Sequence, residues 1–244
     1  MTDEAPTIVL VHGAFADASS WSGVIERLQA AGLKVTAAPN PLRGIAHDSA
    51  YTASVFSQTP GPVLAVGHTY GGAVITNAAS EAKNVVGLVF VAAFAPDEGE
   101  RLGEVEAGSK DSVLNSALVP LNYPTADGTA VEFAIAPDKI REAFAGDLTS
   151  EQTALMAATQ RPVAEAAFSE PNGPPAWKHL PSWTVLATGD RAAGTDVVRS
   201  QAERAGATIT EVEGSHVIMV SQPQAVTDVI LEALAAVKAP VAAG

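Results

Sequence analysis

Short apolar runs alternate with stretches of helical spacing along the first part of the chain. "TIVLVHG" (residues 7–13) is almost wholly apolar and ends at Gly13, the signature of a strand buried on both faces. Asp17, Ser19 and Ser20 then offer helix N-caps, and Trp21, Val24, Ile25 and Leu28 recur at helical intervals before Gly32. "LKVTAAP" reads as a second strand stopped at Pro39, "AHDSAYTASVFSQ" as a helix and "GPVLAVG" as a third strand. "GGAVITNAASEA" reads as a helix and "NVVGLVFVAAF" as a fourth strand. Strands apolar on both faces, alternating with helices, predict an α/β fold whose mostly parallel central sheet has helices on both sides.

The rhythm stops near Pro96 and resumes after Pro181. Between them, acidic turns such as "DEGE" and "SEPNGPP" mix with modest helices, "PDKIREAFAG" and "TSEQTALMAATQ". The α/β pattern returns in "SWTVLATGD", "TDVVRSQAERAG", "ATITEVEG" and "QPQAVTDVILEALAAV", and the "APVAAG" tail is expected to fray. This predicts a core of residues 1–95 and 182–244, with residues 96–181 inserted after the fourth strand as a small cap over one end of the sheet.

Composition narrows the function. One large domain fits 244 residues, and an apolar content of 47% excludes wholesale disorder. A net charge of −13 repels phosphate backbones and anionic lipid, so neither nucleic acid nor a membrane surface is an expected partner. The absence of cysteine excludes disulfides, thiolate metal sites and a cysteine nucleophile. The acidic N-terminal stretch lacks the basic residues of a secretory signal. No run approaches the ~18 apolar residues of a membrane span, and a cytoplasmic location is expected.

The chemistry centres on "AVGHTYGGAV" (65–74), where Gly67 and Gly71 bracket Thr69 in the G-x-S-x-G frame of a nucleophile elbow. The motif follows a strand and opens a helix, as an elbow must; the competing reading is a glycine-rich turn capped by Thr69. "GEVEAGSK" (103–110) only approaches a phosphate loop, because Ser109 and Lys110 stand in the wrong order. Among the histidines, His216 in "EVEGSHVIMVSQP" falls just beyond the last strand, at the sheet edge where open α/β sheets place their sites. It is the candidate base. His12 is expected to shape a loop, His68 to be directed away from the reacting atoms, and His47 and His179 to be incidental. Asp190, ending the preceding strand, is the candidate orienting carboxylate, with Asp97 as its rival. The backbone N–H groups of Ala14, after the turn at Gly13, and of Tyr70, after the nucleophile, are candidate oxyanion donors. The order Thr69, Asp190, His216 is nucleophile, acid, histidine.

In these residues the chain resembles the α/β-hydrolase superfamily, and within it the small single-cap branch of plant methylesterases and hydroxynitrile lyases. The resemblance runs from "IVLVHGAF" and "SSW" through "GHTYGGAVI" and "TGDRAAG" to "EGSHVIMVSQP". It implies the α/β-hydrolase fold and a pocket beneath the cap. It maps the family's catalytic serine to Thr69, its acid to Asp190, its histidine to His216 and its oxyanion donors to Ala14 and Tyr70. It implies a small apolar ester-like substrate, with neither cofactor nor metal. Phe133, Phe144, Leu148, Phe168 and Trp177 are candidate pocket walls.

Departures narrow the chemistry further. Hydroxynitrile lyases of this branch carry threonine where Gly13 stands and lysine where Val217 stands, so their activity is not expected. Thr69 argues against the carboxylate nucleophile of haloalkane dehalogenases and epoxide hydrolases. Hydrolysis of a carboxylic ester, lactone or related acyl compound is the expected reaction. The threonine leaves three accounts open: a working but slower nucleophile, an engineered substitution for serine, or a fold turned to binding a small apolar molecule with little turnover.

Overall fold

The computed structural model describes residues 5–238; the first four residues and the "APVAAG" tail lie outside the described residues. The first half runs β1 (Thr7–Val11), α1 (Ser22–Ala30), β2 (Val35–Ala38), α2 (Ile45–Gln58), β3 (Val63–His68), α3 (Tyr70–Glu81) and β4 (Val85–Val91). Then come α4 (Leu102–Ala107), β5 (Leu118–Thr125), β6 (Gly128–Ile135), α5 (Ile140–Ala143), α6 (Ser150–Thr159), β7 (Val163–Ala164) and α7 (Ala166–Ser169). The chain closes with β8 (Ser182–Ala187), α8 (Thr195–Arg204), β9 (Thr208–Val212), α9 (Ile218–Ser221) and α10 (Pro223–Lys238).

Six strands form one parallel sheet in the order β2-β1-β3-β4-β8-β9. Every residue of β1 and of β3 is buried, so helices cover both faces, as continuous apolar runs require. Helix α1 packs on α10 and α2 on α3, while α3 and α10 both lie against central strands. The register pairs Val11 with Gly67, His68 with Val91, Val91 with Val185 and Ala187 with Val212. These pairings bring the carboxyl ends of β1, β3, β4, β8 and β9 to one edge of the sheet. The segments that follow carry Ala14, Thr69, Asp190 and His216. No helix is long and apolar enough to cross a membrane among the described residues.

The segment between β4 and β8 holds a second, antiparallel sheet in the order β5-β6-β7. The sequence pattern predicts only turns and modest helices there, and this is corrected by the hairpin. Pro120 and Pro124 hide β5, because proline cannot donate to a ladder and argues against a central strand. β5 is an outer strand, where a missing donor is tolerated. The two strands turn through Ala126 and Asp127 into Gly128, which adopts φ 137°.

Candidate active site

Thr69 links β3 to α3 with φ 47° and ψ −118°, a conformation costly for a β-branched residue, on the order of 1–3 kcal/mol. Its surroundings impose it. The Thr69 carbonyl accepts from Gly72 N–H at 3.0 Å and Phe94 N–H at 3.2 Å, and its own N–H donates to the Val91 carbonyl. A Cβ on Gly67 would stand 2.5 Å from the Gly71 carbonyl oxygen, and one on Gly71 would stand 2.5 Å from that of Val11. The Thr69 side chain makes no capping bond to α3, so it is not an ordinary helix cap. Its methyl group falls where a Cβ on Gly13 would lie.

His216 Nδ1 lies 2.8 Å from Asp190 Oδ2, and both side chains are 1% exposed. The carboxylate is fixed in turn by the Ala192 and Ala193 N–H groups, which donate to Oδ1 at 2.9 and 3.0 Å. An Nδ1 proton directed to Asp190 leaves the lone pair on Nε2. Asp97 pairs instead with Lys178 at 2.5 Å, and that hydrogen bond is the main cause of its lowered pKa. Among the described residues no hydrogen bond joins the Thr69 hydroxyl to His216; such contacts are often long before substrate binds.

Ala14 and Tyr70 are 3% and 1% exposed, and among the described residues neither backbone N–H has a hydrogen-bond partner. Buried donors without partners are uncommon and suit an oxyanion. His12 shapes the first loop. Its Nδ1–H donates to the Gly13 carbonyl at 3.0 Å, Nε2 accepts from Asn40 N–H at 3.1 Å, and burial lowers its pKa. His47 and His179 are exposed. His68 is fully buried and its Nε2 lies 3.0 Å from the His216 carbonyl oxygen.

Asp48 escapes the sequence reading. It is 0% exposed on α2 and accepts from the Tyr70 hydroxyl at 2.8 Å and from Arg43 N–H at 3.0 Å. Burial first, then the Asp48 charge, raises the Tyr70 pKa well above the ordinary phenol value. The available signal is spacing: Asp48 shares the buried face of α2 with Ile45 and Thr52.

Phe144 covers the site, its ring 4.9 Å from that of His216 and 6.1 Å from that of Phe15. Phe133 and Phe168 line a cavity of about 590 Å³ with Leu114 and Leu118. Leu148 lines another of about 270 Å³ beside Phe15 and Met219. Trp177 lines neither; its Nε1–H donates to the Pro96 carbonyl at 2.9 Å and the ring is buried. Asp147 accepts from the Ser215 N–H at 2.9 Å and from the Ser215 hydroxyl, tethering this segment to the residue before His216.

This edge-of-sheet arrangement agrees with the sequence comparison. The chain matches the alpha/beta hydrolase family over residues 8–229 and belongs to it. Its structure is similar to that of polyneuridine aldehyde esterase, with a TM-score of 0.78 and 20% identity over 94% of this chain and 99% of the other. It is similar to a methylesterase from Arabidopsis, with a TM-score of 0.77 and 20% identity over 94% and 99% of the two chains. A pyrethroid hydrolase superposes with a TM-score of 0.74 and 21% identity over 97% and 100%. No curated protein matches the sequence.

Proposed function

We propose that the protein hydrolyses a small carboxylic ester, lactone or related acyl compound without a cofactor. The observation that carries this reading is the buried His216–Asp190 pair at 2.8 Å, at the sheet edge that also carries the strained Thr69. The Thr69 hydroxyl gives its proton to His216 Nε2 as Oγ1 adds to the acyl carbon. The oxyanion accepts from the Ala14 and Tyr70 N–H groups. His216 then passes the proton to the departing alkoxide, leaving an acyl-threonine. Water enters, His216 takes its proton, and the second collapse frees the acid and restores the threonine. Asp190 stays ionised and holds the imidazole. Residues 96–181 act as a cap, and their cavity beside Phe133 and Phe168, whose lining does not include Thr69 or His216, is assigned to the apolar part of the substrate.

Release of p-nitrophenol from esters of increasing acyl length tests the reading; turnover should vanish in His216→Ala. A second reading, capture of a small apolar molecule with little turnover, is favoured by the closed site, where Thr69 is 6% exposed and its methyl crowds Gly13. Ligand binding by calorimetry with every ester left intact would select it.

A further inference from the structure

The rings of His68 and His216 lie 4.7 Å apart between centroids, inclined at 48°. The contact between His68 Nε2 and the His216 carbonyl oxygen fixes the chemistry of the first ring. A carbonyl oxygen only accepts, so Nε2 carries the proton and Nδ1 does not. Nδ1 is buried with no partner among the described residues. An unsatisfied buried nitrogen is destabilising, so an apolar side chain of similar size would serve simple packing better. What the histidine supplies is a neutral donor. Residue 68 immediately precedes the nucleophile, and its donor reaches the main chain of the base itself.

We infer that His68 is a positioning residue for acyl transfer, a role that rests on the hydrolase reading above. Its single Nε2–H ties the His216 backbone to the elbow that carries Thr69. Burial, and then the neighbouring His216, hold the His68 pKa well below the ordinary imidazole value. The donor therefore adds no positive charge beside His216 when that ring takes the Thr69 proton; lysine or arginine would oppose it. The Asp147–Ser215 tether holds the same loop from another side. Loss of the His68 bond accordingly displaces the base more than it unfolds the loop. A displacement of ~1 Å at reacting atoms costs on the order of a hundredfold in rate.

Two substitutions separate the donor from the ring. His68→Gln keeps an N–H at about the reach of Nε2, and His68→Met keeps comparable bulk without a donor. On p-nitrophenyl acetate, His68→Met should lower kcat roughly ten- to a hundredfold with KM within about twofold. His68→Gln should stay within about threefold of the parent. Equal losses in both variants, or no loss in His68→Met, overturn the proposal. Nitrogen-15 spectra of the unaltered protein give a readout independent of turnover and of any variant's folding. His68 must be protonated on Nε2, and the Nδ1 tautomer overturns the proposal. The downfield His216 Nδ1–H resonance should persist in His68→Gln and shift or vanish in His68→Met; an identical signal in all three overturns it. Inertness toward every ester, with these spectra as expected, would sink the hydrolase reading alone.

Discussion

The methyl group of Thr69 occupies the place that a Cβ on Gly13 would take. Thr69 and the turn before Ala14 are therefore sterically coupled. A serine would free this space and relax χ1, which branching restricts. Thr69→Ser should raise kcat on a simple ester by ten- to a thousandfold, about 1.4 to 4 kcal/mol of barrier. Gly13→Ala should stay costly even beside Thr69→Ser, because its Cβ would still stand 2.7 Å from the His68 carbonyl oxygen. A double-mutant cycle should recover only the part owed to the methyl, and fully additive effects would show that the two sites do not interact.

Asp190→Asn should leave the fold intact and lower kcat by up to ~10⁴-fold, because the amide no longer holds the correct tautomer of His216. Asp97→Asn loses only its pairing with Lys178 near the surface and should change kcat little. The reverse ranking in matched kinetic assays would transfer the orienting role to Asp97.

Much of this site is legible in the sequence because its constraints are local. The glycines at Gly67 and Gly71 are required by carbonyl oxygens 2.5 Å from the Cβ positions they leave open. Asp190 and His216 follow consecutive strands of a parallel sheet, so topology alone brings them to one edge. The roles of Asp48 and His68 are different in kind. Their partners lie 22 and 148 residues away along the chain, and no periodicity encodes such contacts. The β5–β6 hairpin is hidden by its prolines.

Stability should fall on acidification, in the range set by the buried histidines. His68 and His12 both titrate below the ordinary 6.5 in the folded state. Below that value the unfolded chain binds protons that the native one refuses, so stability present above about pH 6.5 is lost as the pH drops, by at most ~1.4 kcal/mol per unit per histidine. Glu106, raised by burial, acts oppositely as its folded carboxyl protonates above 4.5. Urea midpoints should drop between pH 7 and 5.5 and drop less in His68→Gln. A profile as steep as the parent's in that variant would assign the effect elsewhere.

The aromatic residues of the segment between β4 and β8 should divide by role. Phe133→Ala and Phe168→Ala enlarge a cavity that is already open and should shift the preferred acyl length. Trp177→Ala removes a buried ring and its bond to Pro96, and should cost roughly 3–5 kcal/mol of stability with the substrate profile unchanged. An ester panel and denaturant titrations on the same variants measure both quantities, and a profile altered only in Trp177→Ala would reverse the assignment.

The outer strand of the hairpin has a consequence beyond the site. Among the described residues β5 has no strand on its outer side, and Val119 and Leu121 are about 40% exposed there, the kind of template on which a second copy could add a strand and begin to aggregate. Pro120 and Pro124 interrupt that template at two of its eight positions, since neither can donate to an incoming backbone. The residues that conceal this strand from sequence reading thus also protect the folded protein from assembling edge to edge.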